Sequence, residues 1–247
     1  MRNSKKQFFW GATFIVILAS GWAGCAKTGS TYTTSPVTYV TVMNEAPYGP
    51  TTDIYLNSQL ATGTSGIAPG AYSTKYGALQ PGTYSIQFKK NGSDSLLSTI
   101  ASGSTQVLDT LNFYTLILYN DTLKAIQSML IHDDFTSIST GNANYRFFNL
   151  SPDAHNVDFY INGQSSGVAP TYAQRTTGDN NPAFNSNSYN SFISTAPNSY
   201  NLEVRNHYTD SVIASASAIN LVGGNVYTIF LAGTTNNWKI NILPASY

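Results

Sequence analysis

Three histidines, one cysteine and twelve carboxylates are the side chains of this 247-residue chain with the most chemistry to offer, and their spacing limits what that chemistry can be. His132-Asp133-Asp134 and Asp153-Ala154-His155 are the two places where histidine and aspartate cluster. Neither has the alternating oxygen ligands of a calcium loop or the paired histidines of a zinc site. Adjacent residues of an extended chain point to opposite sides, so His132 and Asp133 do not converge on one ion. A linker between domains accounts for the first cluster and a solvated loop for the second. Asp53 and Asp158 sit at matching positions beside turns, where an aspartate accepts hydrogen bonds from loop amides. There is no Gly-x-Ser-x-Gly elbow, His-Glu-x-x-His pair or phosphate-cradling loop. The expectation is a non-enzyme without catalytic residues, metal or cofactor.

Cys25 offers a different chemistry. Arg2, Lys5 and Lys6 precede an apolar run from Phe8 to Ser20, and small residues lead up to the cysteine, the order found in a cleaved export signal. The run is too short to cross a bilayer comfortably. Gly21-Trp22-Ala23-Gly24-Cys25 resembles the lipobox of bacterial lipoproteins, with Trp22 where an aliphatic residue is usual; the resemblance implies acylation of Cys25 and a membrane anchor. A lone cysteine in an exported chain needs such a use, and several acyl chains anchor stably where one does not. The expected organisation is a signal peptide over 1–24 and a polar tether over 25–36. Removing 1–24 takes three of the twelve basic residues and none of the twelve acidic ones, which leaves a net charge near −3. A nucleic-acid partner would demand a basic stripe, and there is none.

The residues best suited to recognition are aromatics and amides in loops. The stretch 171–192 carries Tyr172, Arg175, Phe184 and Tyr189 among Ser and Asn, where the corresponding stretch 71–78 is much shorter. A long polar loop of this kind offers aromatic faces to sugar rings and amides to hydroxyls. Tyr48 and Tyr76 complete the candidate binding set.

The elements that must position these residues repeat. Thr52-Asp53-Ile54-Tyr55-Leu56-Asn57 returns as Val157-Asp158-Phe159-Tyr160-Ile161-Asn162, and Pro81-Gly82-Thr83-Tyr84-Ser85-Ile86-Gln87-Phe88 as Pro197-Asn198-Ser199-Tyr200-Asn201-Leu202-Glu203-Val204. Asn112-Phe113-Tyr114-Thr115-Leu116-Ile117-Leu118 is answered by Asn225-Val226-Tyr227-Thr228-Ile229-Phe230-Leu231. Ala68-Pro69 with Ala169-Pro170, and Asp94-Ser95-Leu96-Leu97 with Asp210-Ser211-Val212-Ile213, fall in the same order, as a tandem duplication requires. Each block alternates apolar and polar residues, with one face for a core and one for solvent. Apolar residues at 42% are ample for packed cores, while charged residues at only 10% leave the surface to uncharged polar groups. Turn pairs at Pro81-Gly82, Asn91-Gly92, Asn162-Gly163 and Gly223-Gly224 separate the runs. The predicted fold is all-β: two tandem immunoglobulin-like antiparallel β-sandwich domains, over 37–134 and 144–247, joined by a short linker.

From Asn144 onward, Tyr145-Arg146-Phe147-Phe148-Asn149-Leu150-Ser151-Pro152-Asp153-Ala154 followed by Val157-Asp158-Phe159-Tyr160 resembles the opening of the domain-of-unknown-function 4397 family. Pro197 to Arg205 and Val226-Tyr227-Thr228 continue the resemblance. In the first half Asn44-Glu45-Ala46-Pro47-Tyr48-Gly49-Pro50 replaces the Leu-Ser-Pro-Asp-Ala turn. The resemblance implies exported bacterial proteins with tandem β-sandwich domains and implies no activity. The functional expectation is an outer-membrane lipoprotein held through Cys25, acting as a non-catalytic binding or adhesion module for a glycan or an envelope protein. The alternative is a purely structural spacer or assembly subunit.

Overall fold

β-branched and aromatic residues in short runs between turn pairs give twenty strands and no helix among the described residues. The structure, a computed structural model, describes residues 35–100, 103–162, 164–165, 171–172 and 190–245. The leader with Cys25, and Arg175, Phe184 and Tyr189, lie outside them. The first half contains β1 (Thr38–Glu45), β2 (Thr52–Leu56), β3 (Gln59–Leu60), β4 (Ala71–Tyr72), β5 (Gly77–Leu79), β6 (Gly82–Tyr84), β7 (Ile86–Lys90), β8 (Leu96–Thr99), β9 (Gln106–Leu108), β10 (Phe113–Asn120) and β11 (Ile126–Asp133). The second contains β12 (Ala143–Asn149), β13 (Val157–Ile161), β14 (Gln164–Ser165), β15 (Thr171–Tyr172), β16 (Ile193–Thr195), β17 (Asn198–Asn206), β18 (Val212–Leu221), β19 (Val226–Ala232) and β20 (Lys239–Pro244).

Each half has an outer and an inner sheet. The outer sheets are β3-β2-β7-β8 and β14-β13-β17-β18. The inner sheets are β11-β10-β1-β4, with β5 also on β1, and β15-β12-β19-β20, with β16 also on β12. A small β6-β9 ribbon completes the first half. The expectation of wholly antiparallel sheets is corrected here. β1 runs parallel to β10, from Tyr39 opposite Phe113 to Glu45 opposite Tyr119, and β12 runs parallel to β19. Parallel neighbours need a long crossover, and the intervening outer-sheet strands supply it.

Three cores fill the spaces between sheets. Ile54, Ile86 and Phe88 of the first outer sheet pack on Leu116 and Leu118 of β10. Phe159, Leu202 and Val204 of the second outer sheet pack on Tyr145, Phe147, Ile229 and Leu231. The third core joins the halves: Met43, Ile117, Tyr119, Met129 and Ile131 meet Phe148, Leu150, Phe230 and Leu243. Consecutive residues of β10 thus serve two cores, Ile117 and Tyr119 one, Leu116 and Leu118 the other. One face for core and one for solvent holds for β7 and for much of β17, but not for β12 and β19, which are buried along their whole length. Burial on both faces is what parallel pairs in a layered stack require.

The matching sequence blocks make matching local bonds. The Tyr84 hydroxyl donates to the Gln80 carbonyl at 2.7 Å and that of Tyr200 to the Ala196 carbonyl at 2.5 Å. The Tyr114 hydroxyl accepts from the Asp109 amide at 3.0 Å and that of Tyr227 from the Val222 amide at 2.9 Å. The Tyr39 amide donates to the Asn112 carbonyl and the Asn144 amide to the Asn225 carbonyl, both at 2.9 Å. Asn44 Oδ1 accepts from the Ala46 amide as Asn149 Oδ1 does from that of Ser151. This register sets Thr41 against Arg146 and Glu45 against Leu150.

Candidate functional site

Two clusters of polar side chains lie in the layer between the halves, one at each end of β1. The first grows from Asp133, the last residue of β11, and Arg146 of β12, which occupies the position of Thr41 in the other half. Asp133 Oδ1 and Arg146 Nη1 form an ion pair at 2.7 Å, and the two residues are 2% and 4% exposed. Around the pair, Thr115 donates to Asp133 Oδ2 at 2.6 Å, Tyr76 donates to the same oxygen at 2.8 Å, and Arg146 Nε donates to Thr228 at 2.9 Å. The guanidinium also lies over Phe148 at 4.9 Å and Phe192 at 4.6 Å. Buried charges persist only where partners replace water; here the Arg146 charge faces Oδ1, which accepts no hydrogen bond, and the Thr115 and Tyr76 hydroxyls serve Oδ2.

This corrects two readings of the sequence. Asp133 is no solvated linker residue; the alternation that sends His132 outward buries it. Tyr76 is no free recognition residue. Burial, then the neighbouring Asp133 carboxylate, pushes its hydroxyl well above the ordinary tyrosine range, and its ring packs edge-on against Phe113 and Phe135.

The second cluster surrounds Glu45, the last residue of β1. Period-2 alternation puts Thr41, Met43 and Glu45 on the face turned to the other half. Glu45 is 3% exposed, and its Oε1 is buried without a hydrogen-bond partner. Desolvation alone raises its pKa from 4.5 to about 8, so the carboxyl holds its proton at neutral pH. Beside it is a cavity of about 390 Å³, lined from the first half by Glu45, Pro47, Pro69 and Gly70 and from the second by Ala232, Gly233, Asn237, Lys239 and Asn241. Gly233 shapes the wall: its φ is +90°, and a Cβ there would fall 2.3 Å from the Asn237 carbonyl oxygen. Lys239 lines the same cavity but makes no ion pair with Glu45. Glu45 is the single carboxyl of the lining, which holds no serine, threonine, cysteine or histidine. The chemistry available is hydrogen bonding by a neutral carboxyl, two amides and an ammonium.

Among the described candidate binding residues, Tyr48 adjoins this cavity through its neighbour Pro47. Its hydroxyl donates to Asp153 Oδ2 at 2.9 Å, and Lys124 Nζ lies 4.4 Å above its ring. The same Asp153 oxygen accepts from the Thr235 amide at 2.9 Å, so Tyr48 braces the turn that carries Asn237. Burial works against the Asp153 carboxylate, but these hydrogen bonds prevail and hold its pKa below the ordinary range. Tyr76 sits at the opposite end of β1, so Tyr48 and Tyr76 do not join in one site. The backbone of Tyr172 lies in β15, beside Asn149 of β12. Asp53 accepts from Asn91 Nδ2 at 2.9 Å and the Gly92 amide at 3.1 Å, closing a turn, and Asp158 contacts His207 Nδ1 at 3.0 Å. Among the described residues no three His, Cys, Asp or Glu side chains come together as metal ligands would.

The sequence reading missed Glu45, Lys239, Asn237 and Asn241. The available signal was the pairing of Asn44-Glu45-Ala46-Pro47 with Asn149-Leu150-Ser151-Pro152, which sets a carboxyl against a core leucine.

An all-β chain with doubly buried inner sheets and a polar cavity between its halves is, by these features, a layered β-protein. Residues 38–160 match the family described as Domain of unknown function (DUF4397). The match covers all of the first half and reaches Tyr160 in β13, so the half that lacks the Leu-Ser-Pro-Asp-Ala turn lies within it. No curated protein matches the chain.

Proposed function

We propose that this chain is a lipid-anchored cell-envelope protein, cleaved before Cys25, acylated on that residue and attached to the outer membrane. Two tandem immunoglobulin-like sandwiches follow the tether and act together as a non-catalytic binding or adhesion module for a glycan or an envelope protein. The paired tyrosine hydrogen bonds and the parallel first strand of each half support the tandem reading. The observation that carries the binding reading is the cavity between the halves, with a buried Glu45 lacking a partner where the other half uses Leu150. A carboxyl left unsatisfied costs stability, and a ligand that hydrogen-bonds it repays the arrangement. One carboxyl without a second acid or base does not support glycoside hydrolysis, which needs a pair.

The test has two arms. Intact-mass and detergent-partition measurements on the native protein and its Cys25→Ser variant should show acyl chains and membrane partitioning only where Cys25 is present. Glycan and envelope-protein binding screens with the Cys25→Ser chain should yield a ligand that Glu45→Leu loses. A clean screen, together with self-association, would move the assignment to the structural spacer that the shared middle core also suits.

A further inference from the structure

The ligand chemistry follows from what lines the cavity. A metal cation or an amine would want more than one carboxylate and would face Lys239 across the lining. An apolar ligand would leave Glu45, the buried polar group of the lining, without a partner. A bare inorganic anion would satisfy Lys239 but fill little of about 390 Å³ and leave Glu45 as it was. What remains is a ligand with several hydroxyls and one anionic group. The pyrrolidine rings of Pro47 and Pro69 add apolar wall for ring C–H groups.

We propose that the cavity takes a hydroxylated carboxylate of the size of one sugar ring, a uronic acid residue, its carboxylate on Lys239 and its hydroxyls on Glu45, Asn237 and Asn241. This rests on the binding-module reading above and narrows it to one ligand class. Glu45 enters as a neutral group that both donates and accepts. The titratable groups around it are Tyr72 on β4, whose hydroxyl is pushed upward by burial and then by Glu45, Tyr119 opposite on β10, and Lys239 on β20. None holds Glu45 ionised, and an anionic ligand favours its protonated form further. Above pH of about 8 the carboxyl ionises and repels the ligand.

The experiment is a matched pair of probes, methyl glucuronide and methyl glucoside, titrated into the full Cys25→Ser chain. NMR reports on the Glu45 carboxyl, the Asn237 and Asn241 amides and Lys239 Nζ. The glucuronide should bind about tenfold more tightly at pH 6.5, the factor that one charge-assisted hydrogen bond supplies. Lys239→Gln should erase that preference. Glu45→Gln, which keeps a neutral hydrogen-bonding group, should bind at pH 6.5 and lose the fall in affinity that the parent shows beyond pH 8. A uronate oligomer in the same titration separates a polymer residue from a free sugar acid as the source. Equal affinity for the two probes, or no response at these residues to either, overturns the assignment. Glucoside binding in the cavity, or capture of an envelope protein lost with Glu45→Leu, leaves the binding module standing with a different ligand; silence in every arm removes both.

Discussion

Asp133 and Glu45 are both carboxyls buried in the layer between the halves, one near each end of the inner sheet, and the fold treats them in opposite ways. Asp133 has Arg146, Thr115 and Tyr76 within bonding distance. Glu45 has no such partner for its buried oxygen and stands beside a cavity. Removing a carboxylate from water is costly in both places. At Asp133 the cost is offset by an ion pair with hydrogen bonds around it, and the result is a bolt between β11 and β12. At Glu45 the carboxyl keeps its proton instead, although Leu150 shows that the fold accepts an apolar side chain in the equivalent place. A buried carboxylate held by an ion pair and by hydroxyl donors therefore speaks of architecture, and a buried carboxyl with neither, beside open space, speaks of a ligand.

The strongest way to break this comparison is to remove the cation. Arg146→Met leaves Asp133 buried without its counter-charge, with only the Thr115 and Tyr76 hydroxyls on it, and should cost about 3–5 kcal/mol in denaturant unfolding. The double variant Arg146→Met with Asp133→Leu should recover much of that loss, since the penalty comes chiefly from the orphaned charge. A single-variant cost below about 1 kcal/mol would mean that water reaches Asp133 and that the two ends do not differ.

Glu45→Leu should act in the other direction. The folded-state pKa of about 8 lies above the ordinary 4.5, so between these values the folded protein holds a proton that the unfolded chain has released. Stability is then full below about pH 4.5 and falls as pH rises towards 8, by up to about 1.4 kcal/mol per pH unit. Glu45→Leu removes that slope, and at pH 8 it should exceed the parent by at least about 2 kcal/mol, allowing for a leucine that packs imperfectly beside the cavity. Thermal unfolding of both chains from pH 4 to 9 reads the difference directly. Parallel curves would show that Glu45 is solvated or paired.

A smaller effect sharpens the Asp133 end. Tyr76→Phe removes one hydroxyl donor to Asp133 Oδ2 and keeps the ring on Phe113 and Phe135. The expected loss is about 1.5–3 kcal/mol, the range for one hydrogen bond to a charged group. A neutral outcome would show that Thr115 alone satisfies that oxygen.

The sequence carried the strands and concealed the layer between the halves. Tyr84-Ser85-Ile86-Gln87-Phe88 alternates because β7 has one core face and one outer face, and alternation is visible along a chain. Leu116-Ile117-Leu118-Tyr119 is buried throughout because it lies between two cores, a property set by a neighbouring sheet far away in sequence. For the same reason Asp133 read as linker and Tyr76 as a binding residue: their partner Arg146 sits beyond the linker. Glu45 was hardest to find, since a glutamate ending a strand is ordinarily solvated, and only the three-dimensional match to Leu150 makes its burial unusual. The parallel pairing of β1 with β10 was equally hidden, because local turn signals report hairpins and say nothing of crossovers.

Tyr48 provides the weakest and most discriminating perturbation, because it touches neither carboxyl of the comparison and braces only the turn beside the cavity. Tyr48→Phe deletes one exposed hydrogen bond to Asp153, while the Thr235 amide and hydroxyl remain. Stability should change by less than about 1 kcal/mol. The Asp153 carboxyl should rise towards its ordinary 3.8 without reaching it, seen as an upward shift in an NMR titration of Asp153. Its depressed pKa means that its contribution is present above the unfolded value and is lost as pH falls through the folded one, so the variant differs least from the parent in acid. If the Glu45 titration moves as well, the Thr235 turn and the cavity are mechanically one unit, and Tyr48 positions the site. If Glu45 titrates unchanged, the cavity wall is held by Gly233 and the inner sheets, and Tyr48 does no more than tie the two halves together at the rim.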